Sequence, residues 1–176
     1  MRVIAGQSRG RRLSAKLPAV VRPTSDRVKE SIFDILGSQG GVDGLFVVDL
    51  FCGSGGLGVE ALSRGAAAVT FVDQDLAATV AVRENLEAVG LADTAATIVR
   101  AALPGWVRTA AHFDLALCDP PYGFEDWPAL LADLDAERAV LESTRPPLVP
   151  EGWMVTKERR YGGTLVTVAQ RSERDA

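Results

Sequence analysis

Residues 47–58 are VVDLFCGSGGLG, an apolar run that ends in a glycine-rich turn, and VEAL follows at 59–62 with helical spacing. This order predicts a strand, a loop and a helix. Gly53, Gly55 and Gly58 form a G-x-G-x-x-G motif, whose glycines permit unusual dihedrals and let a ligand approach the main chain at a helix N-terminus. The motif alone leaves three interpretations open: a dinucleotide site, a site for another nucleoside cofactor, or a tight turn that binds nothing.

The composition sets limits on the class of protein. The chain has 176 residues, 47% of them apolar, which suffices for one buried core and is too short for two ordinary domains. No apolar run approaches the roughly 20 residues that span a bilayer, and residues 1–4 do not lead into a signal-peptide core, so we expect a cytoplasmic protein. Cys52 and Cys118 end predicted strands and suit small buried fillers in a reducing compartment. The single histidine, His112, has no second ligand at metal-binding spacing, so no metal is expected.

The charge is distributed unevenly along the chain. Residues 1–30 carry eight Lys/Arg and two Asp/Glu, whereas the remainder carries eleven and twenty-one. A basic arm on an acidic body suggests that the arm meets a phosphate backbone. Weak alternation at 2–6 and 9–13 fits a hairpin, and a solvated basic tail is the alternative. We therefore expect an arm at 1–22 and a main domain at 23–176, and the candidate RNA contacts are Arg2, Arg9, Arg11, Arg12, Arg22, Arg27 and Lys29.

The hydrophobic pattern predicts an α/β chain in which helices and strands alternate. The expected fold is a Rossmann-like, doubly wound, mostly parallel sheet of six to seven strands with a small N-terminal β-hairpin extension. Beyond the central unit, helices are expected at about 26–37, 76–89, just after Pro104 and at about 127–141, and the central helix should span 56–64. Further strands are expected at 68–73, 96–99, 113–118, 153–156 and 164–168.

Asp73 lies 20 residues beyond Gly53, at the end of the second predicted strand. A doubly wound nucleotide-binding fold places a carboxylate there to accept hydrogen bonds from both ribose hydroxyls. The alternatives are an aspartate that ends the strand in a turn, or a cap for the following helix, a role for which Asp75 competes.

Residues 113–122 are FDLALCDPPY, a buried strand that ends in a carboxylate, two prolines and an aromatic ring. The prolines remove two backbone donors and stiffen the turn, so the groups of Asp119, Pro120 and Tyr122 keep fixed relative positions. A carboxylate and a carbonyl together accept both hydrogens of an exocyclic amine, and a ring can stack on a planar base. The alternative is a proline-rich turn with an incidental tyrosine.

The order of these features resembles a class I S-adenosylmethionine-dependent amino-methyltransferase. The flanking text, RVIAG at 2–6, RGR at 9–11, RPTSDRVKESIF at 22–33 and GVEALSRG at 58–65, resembles the RsmD family over nearly the whole chain. The resemblance implies an enzyme that methylates N2 of guanine 966 in bacterial 16S ribosomal RNA, within a 30S subunit or an assembly intermediate. We expect it to act as a monomer. S-adenosylhomocysteine would be the product.

The resemblance also implies roles for individual positions. The target amine would lie at Asp119 and Pro120, within a loop completed by Pro121 and by Tyr122, which would stack on the base. Thr24 belongs to a loop at 22–26 that would close over the methionine end. The implied cofactor-binding residues are Asp49, Phe51, Gly53, Gly55, Gly58, Asp73, Gln74, Ala101, Ala102, Asp119 and Thr24.

Two departures from the family pattern affect these expectations. Arg100, Ala101 and Ala102 follow the third strand where the family often has an acidic or amide residue, so adenine recognition would rest on backbone groups. Few residues separate the strand at 153–156 from the last strand, which leaves open whether a sixth strand is present, shortened or absent.

Three other functions share part of the pattern. A DNA adenine-N6 methyltransferase, or another RNA or DNA amino-methyltransferase, uses the same Asp-Pro-Pro-Tyr logic, although the DNA enzymes usually need a further target-recognition domain. A nicotinamide-dependent dehydrogenase would explain the glycine motif and Asp73 but not residues 119–122. A non-enzymatic RNA-binding module would need only the basic arm.

Overall fold

The computed structural model describes residues 1–13 and 25–172, which form one seven-stranded sheet with helices on both faces. The strands have the order β3-β2-β1-β4-β5-β7-β6, and β7 alone runs in the opposite direction to the other six. The elements are α1 (Asp26–Gly37), β1 (Phe46–Leu50), α2 (Gly56–Ser63), β2 (Ala68–Asp73), α3 (Leu76–Ala88), β3 (Ala96–Arg100), a 3₁₀ helix (Gly105–Thr109), β4 (Phe113–Cys118), α4 (Trp127–Asp133), β5 (Ala136–Ser143), β6 (Trp153–Tyr161) and β7 (Thr164–Arg171).

The strand order reverses between β1 and β4, and this reversal creates the crevice in which doubly wound proteins bind ligands. Leu50 of β1 pairs with Val72 of β2 on one side and with Cys118 of β4 on the other. Cys118 in turn pairs with Leu141 of β5. The residues that follow these partners therefore lie at one level of the carboxyl edge, and in strand order they are Asp73, Phe51, Asp119 and Glu142.

Each face of the sheet has its own apolar core. One core packs α1, α2 and α3 against side chains such as Phe71 and Leu117. The other packs the 3₁₀ helix and α4 against the opposite side chains, such as Leu50 and Cys118. In α1 the Ser25 hydroxyl accepts the Val28 N–H as an N-cap, which satisfies one of the donors that a helix start leaves without a partner.

Residues 1–13 form an antiparallel turn that packs on α2. The Val3 N–H donates to the Arg11 carbonyl and the Gly10 N–H to the Val3 carbonyl, both at 2.9 Å, and Arg2 forms a β-bridge with Arg12. Because this segment covers the outer side of α2, all eight residues of the helix are buried. The predicted boundary at residue 22 falls within residues 14–24, outside the described part of the chain.

Two polar side chains of α2 hold this N-terminal segment. The Glu60 carboxylate accepts the N–H groups of Ile4 and Ala5 at 2.8 and 3.0 Å. The Ser63 hydroxyl donates to the Ala5 carbonyl and accepts the Ser8 N–H. Backbone groups of the N-terminal segment thus satisfy the buried polar atoms of the helix.

Most elements begin where the sequence predicts, including α2, β2, α3, β3, β4, β6 and β7. The helix predicted at 127–141 is wrong in its second half, because α4 ends at Asp133 and residues 136–143 form β5. The Ala, Glu, Arg and Leu of that stretch favour helix, but pairing with β4 and β7 buries Ala139 and Leu141 in the sheet and overrides the local preference.

The structure also contains the sixth strand, whose presence the sequence left open. β6 has nine residues and β7 has eight, and they pair along nearly their whole lengths.

Across residues 1–13 and 25–172, no helix is both long and apolar enough to cross a bilayer.

Candidate active site

The glycine loop, residues 51–55, leaves β1 at the strand reversal and turns directly into α2. Gly55 is the N-cap of α2 with φ +80°, a left-handed conformation that glycine adopts without a Cβ penalty. The Gly55 N–H donates to the Cys52 carbonyl at 2.7 Å, which closes the turn. Phe51 has φ +59°, uncommon for a non-glycine residue, so the loop holds a strained conformation where it leaves the strand.

Three side chains from three elements fix this loop and the start of α2. The Gly53 N–H donates to Asp73 Oδ2 at 3.0 Å, and the Gly58 N–H donates to Asp49 Oδ2 at 2.8 Å. Asn85 of α3 donates from Nδ2 to the Ser54 carbonyl at 2.8 Å. The loop is therefore shaped before any ligand binds.

Asn85 was not predicted from the sequence. It is buried on the side of α3 that carries Val82 and Leu86. An amide among apolar positions of a helix needs a hydrogen-bonding partner, and that is the signal that would have singled it out.

Gly58 supports the site through packing. A Cβ at this position would lie 2.3 Å from Phe71 Cε1, so only glycine allows α2 to approach β2 this closely. This is the role of the third glycine in a G-x-G-x-x-G motif. Direct contact between Gly58 and a cofactor remains a prediction.

Asp73 is half-buried and accepts two backbone donors, the N–H groups of Gly53 and Asp75. A carboxylate offers about four acceptor positions, so two remain for ribose hydroxyls. The capping role belongs to Asp75, whose side chain accepts the Ala77 N–H at the start of α3. The Asp73 carboxylate therefore lies beside the glycine loop with acceptor positions left over, as the predicted ribose contact requires.

The site brings together the carboxyl groups of Asp49, Asp73 and Asp119. Burial raises the pKa of Asp49 well above its ordinary value, the hydrogen bond from Gly58 opposes this, and the charges of Asp119 and Asp73 raise the pKa further. These couplings indicate that the three carboxyl groups lie close together. Such a cluster favours a cationic ligand over an anionic one.

The two cysteines are free and buried. Burial raises the pKa of both thiols, and the charge of Asp49 adds to the effect in each case. A protonated, buried thiol is a poor nucleophile, in agreement with the predicted packing role of Cys52 and Cys118.

The target loop, residues 119–124, leaves β4 beside the glycine loop. The Phe124 N–H donates to the Pro121 carbonyl at 3.2 Å, and Gly123 has φ +83°. Tyr122 is 72% exposed at the tip, while Asp119 is half-buried at the base. The loop therefore offers a carboxylate at depth and an aromatic ring at the surface.

An aromatic contact joins the two loops. The ring of Phe124 meets that of Phe51 edge to face, with centroids 5.2 Å apart, and packs likewise on Trp127 at 5.0 Å. Such pairs add stability beyond their buried area. Phe51, predicted as a cofactor-binding residue, thus also positions the target loop.

The remaining predicted cofactor positions flank Asp73 at the same edge. The Gln74 carbonyl accepts from Arg100 Nε at 3.1 Å, and the Ala101 N–H donates to the Asp73 carbonyl at 3.0 Å. Ala101 is half-buried, whereas Gln74 and Ala102 are exposed. Thr24 and Arg22 lie among residues 14–24, outside the described residues.

The predicted RNA contacts divide into exposed and buried side chains. Lys29 is fully buried, forms an ion pair with Glu60 at 3.4 Å and donates to the Arg2 carbonyl. Burial lowers the pKa of Lys29, and Glu60 opposes this effect. The prediction that Lys29 contacts RNA is therefore wrong, because its ammonium anchors the N-terminal segment instead. The exposed members of the set are Arg2, Arg9, Arg11, Arg12 and Arg27.

No group of three His, Cys, Asp or Glu side chains within residues 1–13 and 25–172 is arranged to hold a metal ion. His112 lies at an exposed position with Nδ1 3.1 Å from Asp135 and Nε2 3.8 Å from Glu137.

The sheet order, the glycine loop and the adjacent carboxylates are those of a class I methyltransferase, and comparisons with known proteins agree. The Escherichia coli protein yhhF has a solved structure that superposes with a TM-score of 0.84 at 32% identity over 99% of both chains. Pyrococcus horikoshii PH1948, at 20% identity and a TM-score of 0.73 over 92% of both chains, shows the same fold.

Sequence comparison identifies the family. Residues 1–170 match the family described as Conserved hypothetical protein 95. Ribosomal RNA small subunit methyltransferase D of Haemophilus influenzae is 33% identical over 92% of this chain and 89% of its own, and that of E. coli is 32% identical over 97% and 90%. Bacillus subtilis YlbH is 38% identical over 96% and 97%. The chain belongs to this family, the RsmD family, and is a methyltransferase.

Proposed function

We propose that this protein transfers a methyl group from S-adenosylmethionine to the exocyclic N2 of a guanine in 16S ribosomal RNA, the position the family resemblance gives as guanine 966. The relatives named ribosomal RNA small subunit methyltransferase D support the RNA substrate. The observation that carries the proposal is the register between the neighbouring strands β1 and β4. Leu50 pairs with Cys118, so Asp119 leaves β4 at the same level at which the glycine loop leaves β1.

The residues at the strand reversal fit the cofactor. Asp73 keeps acceptor positions for ribose hydroxyls beside a glycine loop of bare backbone. The carboxyl groups of Asp49, Asp73 and Asp119 suit a ligand with a positively charged sulfonium. Bound there, S-adenosylmethionine would supply an activated methyl group, with S-adenosylhomocysteine as the product and with one proton released from the methylated amine to solvent.

The target loop fits an exocyclic amine. The lone pair of guanine N2 is delocalised into the ring, and accepting its hydrogens localises that lone pair on nitrogen. The Asp119 carboxylate and the Pro120 carbonyl are the two acceptors, and Pro121 stiffens the turn that aims them. The exposed ring of Tyr122 stacks on the base once it is turned out of the RNA. Catalysis then consists of positioning, which can contribute roughly 7 to 11 kcal/mol.

The N-terminal residues 1–22 act in this proposal as the part that meets the RNA, and residues 23–176 as the catalytic domain. Arg9, Arg11 and Arg12 are exposed on a segment that α2 holds in place. A basic surface of this kind binds phosphates without reading sequence. We propose that the protein works as a monomer on a 30S subunit or an assembly intermediate.

The decisive experiment incubates the protein and radiolabelled S-adenosylmethionine with 30S subunits from a strain that lacks the enzyme, followed by nucleoside analysis. Protein-free 16S ribosomal RNA and duplex DNA serve as parallel substrates. We expect label in N2-methylguanosine. Label in N6-methyladenine, or no label in any substrate, would contradict the proposal.

Replacing Arg9, Arg11 and Arg12 together by Glu should weaken ribosomal RNA binding and its dependence on salt. The slope of log affinity against log salt concentration should fall by about one unit for each phosphate that the protein no longer neutralises. Affinity for S-adenosylmethionine should stay at the wild-type value. Arg83→Glu, an exposed position on α3, is the matched control and should change neither quantity much. If the triple variant keeps wild-type RNA affinity and salt slope, these arginines do not contact the RNA.

A further inference from the structure

Glu142 is a buried carboxylate beside the target loop, and the functions described so far give it no role. It follows Leu141 of β5, which pairs with Cys118 of β4, and Asp119 follows Cys118. Asp119 and Glu142 are therefore level with each other on adjacent parallel strands. Neighbouring strands lie about 4.8 Å apart, so the two backbones are close enough for their side chains to meet the same small ligand.

The two side chains also share a face of the sheet. Leu117 and Val140 pair with each other and belong to the core on the α1, α2 and α3 side. Alternation along a strand places every second residue on the same face, so Asp119 and Glu142, two residues further on, point to that side. Glu142 is 6% exposed.

The position of β5 relative to β1 gives Glu142 its significance. β4 lies between them, so the glycine loop flanks Asp119 on one side and Glu142 flanks it on the other. A base whose amine is held at Asp119 and receives the methyl group from the glycine-loop side has its remaining edge toward β5. A glutamate, one methylene longer than an aspartate, extends toward that edge.

We propose that Glu142 is a specificity-determining residue that accepts the N1–H of the target guanine while Asp119 and the Pro120 carbonyl hold the N2 amine. This proposal rests on the proposed function. Guanine presents N1–H and N2–H donors side by side, and two adjacent carboxylates match them. Adenine has an acceptor at N1, which an ionised carboxylate repels. An Asp-Pro-Pro-Tyr loop can hold the exocyclic amine of either guanine or adenine. Glu142 adds the selectivity for guanine.

The test changes the hydrogen-bonding group at N1 of the base and, separately, the side chain at position 142 of the enzyme. Reconstituted 30S subunits carry either guanosine or 2,6-diaminopurine riboside at the target position, because diaminopurine keeps the 2-amino group but has an acceptor at N1. The wild-type enzyme should prefer guanosine by about 10 to 100-fold in kcat/KM. Glu142→Gln supplies an amide donor for N1 of diaminopurine, so the preference should fall by about 10-fold or more.

Glu137→Gln is the matched control, since Glu137 is an exposed residue of the same strand. It should leave the preference unchanged, and both variants should bind S-adenosylmethionine like the wild type in calorimetry. An unchanged preference in Glu142→Gln, or a wild-type enzyme that methylates both bases equally, would overturn the proposal for Glu142. A wild-type enzyme that leaves guanosine unmethylated would instead refute the proposed function.

A measurement on the unmodified enzyme covers the case in which Glu142→Gln fails to fold. Subunits with inosine at the target position keep N1–H and lack the 2-amino group, whereas purine riboside lacks both. Inosine subunits should compete for the wild-type enzyme about 10-fold better than purine riboside subunits. Equal competition would show that N1–H is not recognised and would refute the role of Glu142.

Discussion

The glycine loop and the target loop leave neighbouring strands at the same edge of the sheet, but they are held differently. The glycine loop and the first turn of α2 are fixed by side chains from β1, β2 and α3, namely Asp49, Asp73 and Asn85. The target loop depends on two prolines, one turn hydrogen bond and the contact between Phe124 and Phe51. Its tip, Tyr122, is among the most exposed apolar groups of the described chain.

This difference matches the ligands that we propose for the two loops. A small cofactor gains affinity when its site is formed in advance, because little ordering free energy is lost on binding. A base that must leave its RNA stack needs an open platform that it can reach. The two loops should therefore respond differently to mutation, the first in stability and cofactor affinity, the second in turnover and base capture.

The largest effect is expected for Asp119→Ala. Loss of a preorganised acceptor at the reacting amine typically lowers turnover by about 100 to 1000-fold, and the base also loses an anchor, so the upper end is expected. Cofactor affinity should be largely retained, because the side chains that fix the glycine loop and the start of α2 all remain, and Asp119 is only one of three carboxyl groups that would face the sulfonium. Methyl counting on 30S subunits and calorimetry measure the two effects.

Asp126→Ala is the control for this variant, since Asp126 is an exposed residue near the same loop and makes no side-chain capping bond. It should methylate normally. Near wild-type methylation by Asp119→Ala would remove Asp119 from the catalytic site and leave the loop as a structural turn.

Asp73→Ala should act on the other half of the site. We expect a loss of about 1.5 to 3 kcal/mol in S-adenosylmethionine affinity, the range for hydrogen bonds to a charged acceptor, with the release of the Gly53 N–H adding to it. Asp75→Ala should cost about 1 kcal/mol of stability through loss of the α3 cap without changing affinity. Calorimetry that finds equal affinities for the two variants would exclude Asp73 from the site.

Glycine substitutions compare how tightly the start of α2 and the target loop are packed. Gly58→Ala places a Cβ 2.3 Å from the Phe71 ring and should destabilise the fold by about 1 to 3 kcal/mol. Gly123→Ala meets open space and only loses its favourable φ of +83°, so about 1 kcal/mol is expected. Urea unfolding compares them. A Gly58→Ala protein as stable as the wild type would show that α2 is free to shift on β2.

The sequence predicts the parts of the site that depend on local pattern. A glycine motif after an apolar strand, and carboxylates at the ends of other strands, locate Gly53, Asp73 and Asp119 without any structure. The carboxyl ends of parallel strands in one sheet necessarily share an edge, so their proximity also follows. The Ser25 cap of α1 also depends on a local signal, because a serine directly before the first helical turn is a preferred N-cap residue.

Long-range contacts account for what the sequence misses. The stretch at 136–143 has helix-forming composition, and only pairing with β4 and β7 makes it a strand. The positive charge of residues 1–30 suggests that Lys29 contacts RNA. In the structure Lys29 is buried instead, because it forms an ion pair with Glu60, a residue distant in sequence. Because β5 was not predicted, the register that brings Glu142 beside Asp119 could not be seen either.

The last prediction concerns the tip of the target loop, where we propose that Tyr122 offers its ring face to the base, and the conservative variant Tyr122→Phe should show the smallest effect of all. Tyr122→Ala should weaken capture of the 30S substrate by roughly 1 to 3 kcal/mol, the range for removal of a stacking platform, with cofactor affinity and stability unchanged because the side chain is 72% exposed. Tyr122→Phe keeps the ring and loses only a hydroxyl, so its KM for 30S subunits should stay near the wild-type value. Steady-state kinetics with limiting 30S subunits measure both. If Tyr122→Phe is as impaired as Tyr122→Ala, the hydroxyl and not the ring face acts on the substrate, and the stacking role must be abandoned.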